Sequence, residues 1–122
     1  MRIYTGKGVY GAIAIGKISI FSRQQIAITK LHIEDIDAEK ARVQAAKEKS
    51  IAQLQEIYEK ALKDVGEANA QIFEIHMMMI EDEDYNESIV NIIETQMVNA
   101  EYAVAVTSDN FAAMFSSMDD TY

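Results

Sequence analysis

Residues 36–65 read IDAEKARVQAAKEKSIAQLQEIYEKALKDV, and this stretch decides the fold. Apolar side chains recur in it at intervals of three or four residues and their multiples, which places them on one face of a helix. This apolar stripe consists of Ile36, Val43, Leu54, Ile57 and Ala61. Aspartates stand at the start and lysines in the last turn, as the helix dipole favours. Gly66 follows directly and is a residue type that ends helices, so the stretch predicts one long helix over residues 36–65.

The acidic run at 81–84 divides the next part of the chain into two shorter helices. An apolar helical pattern covers about 68–80 and then meets four adjacent acids. Like charges repel and aspartate is a poor residue inside a helix. We therefore expect a break or kink there. Asp82 or Asp84 should cap the next helix, which covers about 84–97.

A last helix is predicted over residues 100–117, with Asn99 available as its cap. The chain has no proline, and Gly66 is its only glycine after Lys17. The sequence therefore predicts a mainly α fold, an antiparallel helical bundle with short connections.

The first part of the chain has a β-type texture. Branched apolar residues recur among glycine and alanine over 9–20, and QIAIT at 25–29 is a second short run of this kind. Two strands cannot bury themselves in water. They either pack on the helices or belong to a sheet whose other strands lie elsewhere. We divide the chain into an N-terminal β segment, 1–30, and a helical domain, 31–122.

Composition restricts the class of protein. The 122 residues suffice for one small domain. The absence of cysteine excludes a disulfide framework and a thiolate zinc site, and fits a cytoplasmic protein. No apolar run approaches the roughly 20 residues that span a bilayer, so no membrane partner is expected. The opening apolar stretch ends at Lys17 without the small-residue pattern of a secretory cleavage site.

The charge is distributed unevenly along the chain. The net charge is −9, yet all 11 Lys and Arg residues lie between Arg2 and Lys63, whereas 66–122 carries 12 acids and no base. Such a half disfavours nucleic acid as a partner and favours a protein with basic features. The alternative is a solvated acidic surface that only aids solubility.

The residue pattern by itself contains no active site. The two histidines are His32 and His76. Glu74 and His76 are two residues apart and point about 200° from each other on a helix, so they do not share a metal easily. Neither a nucleophile elbow nor a phosphate-binding loop is present. We therefore expect no catalytic residue, metal site or cofactor in this chain.

The methionines at 77–79 indicate a docking site. Three consecutive side chains cover most of the circumference of a helix, so at least one should be exposed beside the acids. Methionine adapts its shape to binding partners. An apolar patch rimmed by carboxylates suits a partner that is both apolar and basic. The alternative places Met77 and Ile80 in the core, with Met78 as an ordinary exposed side chain.

Several segments together resemble one known family. GVYGAIAIGK at 8–17 is similar to its opening pattern S-P-G-I-A-x-G-K, and AQIFEIHMMMIED at 70–82 to its block A-I-F-x-x-H-x-M-L-L-E-D. NAEYA at 99–103 and MDDTY at 118–122 are similar to N-A-E-x-A and L-D-D-x-Y. In order and spacing, the chain resembles the N-terminal region of the Enzyme I family of phosphoenolpyruvate-protein phosphotransferases. It departs at 9–10, where Val-Tyr replaces Ser-Pro.

The resemblance implies a role in bacterial sugar uptake. Members of this family take phosphate from phosphoenolpyruvate, with magnesium, onto their own histidine and pass it to the carrier HPr. That histidine lies in a segment G-G-x-T-S-H, which nothing here matches. We therefore expect an N-terminal fragment that binds HPr but is itself inactive. Residues 1–30 would be the first strand segment of a truncated phosphohistidine domain, and the cytoplasmic full-length parent a homodimer.

The resemblance also implies a docking surface, carried over residue by residue. The HPr-binding residues would be Glu67, Ile72, Glu74, His76, Met78, Met79, Asp82, Asp84, Phe115 and Met118. Ala68 and Thr121 stand where many relatives have glutamate, so the rim is less acidic here.

Two alternatives remain beside this interpretation. One is a related phosphoenolpyruvate-utilising phosphotransferase, such as the nitrogen-related Enzyme I or a dihydroxyacetone-kinase subunit. The other is a non-enzymatic, acidic helical adaptor for a basic partner. A G-G-x-T-S-H segment downstream in the parent gene would exclude the adaptor.

Overall fold

The computed structural model describes residues 1–21 and 26–118, and four α-helices form its framework. They are α1 (Ile36–Asp64), α2 (Glu67–Glu81), α3 (Glu83–Gln96) and α4 (Ala100–Ser116). Each predicted helix boundary lies within one residue of the observed one. The prediction of a mainly α bundle with short connections is therefore confirmed.

The helices pack as two pairs. α1 lies along α2, α3 lies along α4, and the first part of α1 also contacts the second pair. No Cα atom of α2 comes within 8 Å of one in α4. Gly66 has a φ of +85°, which a residue with a side chain rarely adopts, and turns the chain from α1 into α2. The predicted stop at Gly66 is therefore confirmed.

In the described part of the chain, no helix is both long and apolar enough to cross a bilayer.

The short β segment predicted for residues 1–30 is not confirmed. The described residues there, 1–21 and 26–30, form no strand, and Ile13 and Ile15 are 95% and 99% exposed. The physical reason is that a strand needs a neighbour to bond its backbone, and two short segments alone are marginal in water. Residues 22–25 and 119–122 lie outside the described residues. They include the start of the predicted β-type run QIAIT and most of the motif MDDTY.

The core sits where α1, α3 and α4 meet. Ile89, Ile93, Ala100 and Ala103 are buried together. The partly buried side chains packed against them are Ile33, Ile36, Val43, Tyr85 and Ile92. One residue of the predicted stripe, Ile57, is instead 46% exposed. It lies in the second half of α1, where α2 is the main neighbour and covers only one side.

Beside this core, the segment before α1 and the segment between α3 and α4 are joined by backbone hydrogen bonds. The Ile33 N–H donates to the Met97 carbonyl at 2.9 Å, and the Asn99 N–H donates to the Leu31 carbonyl at 3.0 Å. Asn99 occupies the N-cap position as predicted, but its side chain does not cap α4. Its Oδ1 accepts from the Leu31 N–H at 2.8 Å, and its Nδ2 donates to the Thr29 carbonyl at 3.1 Å. The Asn99 side chain therefore holds the segment before α1, at Thr29 and Leu31, against the start of α4.

The start of α4 is capped from α1 instead. Glu39 is 9% exposed, and its Oε2 accepts from the Ala100 N–H at 2.7 Å. Arg42 donates to both oxygens of this carboxylate, at 2.7 and 2.9 Å, and also pairs with Glu101. The Glu101 backbone N–H, and then Arg42, hold the pKa of the Glu101 carboxyl below its ordinary value. The stabilisation from Glu101 is therefore present above the ordinary glutamate pKa and is lost as the pH falls through the lowered one.

Removing the Glu39 carboxylate should destabilise the whole bundle. We expect Glu39→Ala to lower the free energy of unfolding by about 1–3 kcal/mol, since it leaves the buried Ala100 N–H without an acceptor. Urea unfolding at pH 7, followed by circular dichroism, measures the loss. Glu56→Ala is the control, because Glu56 is exposed on the same helix and forms no ion pair in the described residues. Equal unfolding midpoints for the two variants would show that the cap contributes nothing.

Candidate docking surface

The residues that the sequence assigns to HPr binding are all exposed. On α2 they are Glu67, Ile72, Glu74, His76, Met78 and Met79. Asp82 lies between α2 and α3, and Asp84 in the first turn of α3. Phe115 is in the last turn of α4, and Met118 follows that helix.

Helix α2 is apolar on both of its sides. Its core-facing side chains are Ala70, Phe73, Met77 and Ile80, which are buried or half-buried. Its outward apolar side chains are Ile72, Ile75, Met78 and Met79, each between 50% and 66% exposed. The expectation that at least one methionine is exposed is confirmed, and Met77 and Ile80 face inward as the alternative interpretation placed them. Exposed apolar side chains grouped on one element are typical of an interaction site.

The joint between α2 and α3 is held by hydrogen bonds. The Asp82 N–H donates to the Met79 carbonyl at 3.4 Å, and Asp82 Oδ1 accepts from the Tyr85 N–H at 2.8 Å. Asp82 therefore ends one helix and caps the next, as the acidic run predicted. Asn86 Nδ2 donates to the Ile80 carbonyl at 2.8 Å and so caps the end of α2. Sequence reasoning missed Asn86, although asparagine one turn after a helix break often bonds to the backbone.

Tyr85 fastens this joint to α4. Its hydroxyl lies 2.8 Å from Ser108 Oγ, and its ring meets that of Phe111 edge to face at 5.4 Å. Phe115 is one turn further along α4, on the same side as Phe111. Because α2 and α4 have no Cα atoms within 8 Å of each other, we treat the apolar side chains of α2 and those at the end of α4 as two parts of the candidate surface.

The acids of this surface form no ion pair with another described residue. The ion pairs found there join Lys40 to Glu94, and Arg42 to Glu39 and Glu101. Glu67, Glu74, Asp82 and Asp84 are therefore free to attract a partner's positive charge.

The described residues bring no catalytic group together. His32 pairs through its backbone with Val98, and His76 is exposed on α2. No group of His, Asp or Glu in the described part of the chain is placed to hold a metal ion. An open depression of about 600 Å³ between α1 and α3 is lined mainly by polar and acidic residues. This arrangement suits attraction of a partner rather than enclosure of a small substrate.

The sequence was also compared with known protein families and with individual proteins. The sequence model of the family described as "PEP-utilising enzyme, N-terminal" matches residues 5–122. The chain belongs to this family. Phosphoenolpyruvate-protein phosphotransferase of Bacillus subtilis is 35% identical over all of this chain and 21% of its own length. That of Mycoplasma capricolum is 36% identical over 90% of this chain and 19% of its own length.

This member of the PEP-utilising family spans about one fifth of the length of the curated relatives it matches. A solution NMR structure of Enzyme I superimposes with a TM-score of 0.75 at 33% identity. The match covers 81% of this chain and 41% of that one. The resemblance to Enzyme I inferred from the sequence is therefore confirmed.

Asp82 and Asp84 should differ in their effect on folding, although both belong to the acidic rim. We expect Asp82→Ala to lower the free energy of unfolding by about 0.5–2 kcal/mol because it removes a helix cap. Asp84→Ala should cost only a few tenths of a kcal/mol, since its charge acts only on the helix dipole. Asp82→Asn keeps an oxygen acceptor and should restore the wild-type midpoint in urea. Equal losses for the two alanine variants would contradict the capping role of Asp82.

Proposed function

We propose that this chain is the HPr-docking, N-terminal part of a phosphoenolpyruvate-protein phosphotransferase that serves bacterial sugar uptake. In the full-length protein, the phosphoryl group leaves phosphoenolpyruvate as pyruvate forms, with magnesium assisting. It moves to a nitrogen of the protein's own histidine and then to a histidine of HPr. This chain supplies the surface that holds HPr and takes no part in the transfer.

The observation that carries the proposal is the outer side of α2. Ile72, Met78 and Met79 are more than half exposed there, and the exposed acids on the same helix and in the turn after it form no ion pair with another described residue. An apolar centre resists dissociation, whereas an acidic rim speeds the approach of a basic partner. Membership of the PEP-utilising family and the name shared by the relatives support HPr as that partner.

We extend the proposal to the domains and the parent protein. Residues 31–122 would form the docking domain, and residues 1–30 would belong to a phosphohistidine domain completed elsewhere. The exposed apolar side chains of the described residues before Lys30, among which no strand forms, support this division. The full-length parent would be a cytoplasmic homodimer. The related phosphotransferases and the acidic adaptor remain alternatives, but the curated relatives reported above favour Enzyme I.

Docking can be measured by titrating isotopically labelled HPr with this chain and following its NMR spectrum. Met78→Ala should weaken binding on the order of 1–2 kcal/mol, because an exposed methionine that fills a partner pocket loses its contacts. Ile57→Ala is the control, since Ile57 is exposed on α1 outside the surface. Equal affinities for the two variants, both folded by circular dichroism, would remove Met78 from the docking site.

Charge reversal on the rim should act on the rate of association. Glu74→Lys together with Asp84→Lys should slow association and flatten its dependence on salt, while dissociation changes little. Asp82 is left intact in this variant because it caps α3. Stopped-flow mixing with HPr at low and high salt measures both rates. Unchanged association would show that the rim does not face HPr.

The chain should not accept phosphate from phosphoenolpyruvate and magnesium. Neither His32 nor His76 lies in a segment like the family's G-G-x-T-S-H acceptor. Intact-mass spectrometry after incubation should show the unmodified chain, with the full-length Bacillus subtilis relative as the positive control. A phosphate adduct on this chain would contradict the proposal that the chain takes no part in the transfer.

A further inference from the structure

All of the sulfur in this chain belongs to methionine. The sequence contains seven methionines and no cysteine, so no thiol of the chain competes with them for an oxidant. An oxidant converts the thioether of methionine into a sulfoxide, which is polar and chiral, and dedicated reductases convert it back. Methionine is therefore the residue type through which oxidation can change this chain reversibly.

The three consecutive methionines of α2 differ in their access to solvent. Met78 and Met79 are 66% and 58% exposed, whereas Met77 is half-buried on the core-facing side. A dissolved oxidant reaches an exposed sulfur directly, and water solvates the polar oxygen as it forms there. At a core-facing sulfur the same oxygen would lose its hydration, which costs free energy. Oxidation should therefore begin at Met78 and Met79 and spare Met77.

The neighbours of the two exposed thioethers leave room for a polar oxygen. Met78 lies one helical turn from Glu74 and from Glu81, whose carboxylates accept hydrogen bonds and donate none. A sulfoxide oxygen at Met78 would therefore be hydrated by water. Met79 lies one turn after His76, whose ring N–H can donate to such an oxygen. Neither oxygen would enter the core, so the fold should tolerate both.

We propose that Met78 and Met79 are sites of reversible oxidation, at which a peroxide makes the outer side of α2 polar and weakens docking. The thioether sulfur attacks one oxygen of hydrogen peroxide. The O–O bond breaks, an S–O bond forms, and the other oxygen leaves as water with both protons. The sulfur loses two electrons, which the peroxide gains. A methionine sulfoxide reductase restores the thioether as two thiols become a disulfide and the oxygen leaves as water.

The effect on docking follows from the change in polarity. A sulfoxide oxygen accepts hydrogen bonds, and a partner that covers it with apolar side chains removes its water without replacing those bonds. Methionine also loses the ability to adapt its shape as an apolar side chain. This effect rests on the proposed function, whereas the two oxidation sites do not depend on it. Oxidation is thus a means of weakening the contact while leaving the helix folded.

The oxidation sites are tested on the chain alone. Hydrogen peroxide is added, then removed with catalase, and the chain is cleaved after glutamate. Cleavage after Glu74 and Glu81 releases the peptide IHMMMIE, in which fragmentation by mass spectrometry locates each added oxygen. The first oxygens should lie on Met78 and Met79. First oxidation at Met77, or equal oxidation of all three, would overturn the proposal.

The effect on docking is tested with HPr that has never met the oxidant. The treated wild-type chain should bind HPr about tenfold more weakly than the untreated chain. The double variant Met78→Leu, Met79→Leu, compared with its own untreated form, should change by less than about twofold. Met114→Leu is the control, because Met114 is 49% exposed on another helix, and this variant should lose as much affinity as the wild type. Circular dichroism verifies that the treated chains are folded.

Each result separates oxidation from docking as a whole. If the treated double variant loses as much affinity as the treated wild type, the effect lies elsewhere and the proposal is overturned while the proposed function stands. A loss that methionine sulfoxide reductase and a thiol do not reverse would also overturn it, since the change would then be damage. If the untreated chain does not bind HPr, the proposed function fails and the effect of oxidation on docking fails with it.

Discussion

The hydrogen bond from the Ala100 N–H to Glu39 joins two points of the chain that are 61 residues apart. It satisfies the first amide of α4 with a carboxylate from the first turn of α1, and it lies beside the core formed by Ile89 and Ile93. The first half of α1 thus packs against the α3–α4 pair, and the rest of α1 packs against α2. Both parts of the candidate docking surface therefore depend on one helix for their relative position.

The joint at Asp82 completes this arrangement. No Cα atom of α2 lies within 8 Å of one in α4, so the relative position of the two helices is set mainly through α1 and through the capped turn. Hydrogen bonds of Asp82 and Asn86 fix that turn, and Tyr85 connects it to α4. A surface that is already ordered loses less conformational entropy when a partner binds. The acidic run thus contributes to the fold through Asp82, whose side chain caps α3.

Local patterns were enough to predict the helices but not their connections. Apolar spacing, Gly66 and the acidic run gave every boundary within one residue. The cap by Glu39 and the use of the Asn99 side chain were missed, because they join residues about 60–70 positions apart. Local rules make Asn99 cap its own helix, whereas the structure uses it to hold Leu31. For the site, matched motif positions predicted exposed residues, but Ile75 stands at a variable position of the motif, and only the structure shows that it is exposed as well.

The two exposed apolar regions of the chain require different kinds of partner. On α2 the backbone is already hydrogen-bonded within the helix. A partner would therefore have only to cover Ile72, Ile75 and Met79 and to pair positive charges with the glutamates of that helix. Such contacts form and break reversibly. In the described residues 1–21, by contrast, no strand pairs the backbone, while Ile13 and Ile15 are exposed on it. Only another strand satisfies both the amides and the side chains there. The helical surface therefore suits transient docking, and the extended segment suits permanent incorporation into a sheet.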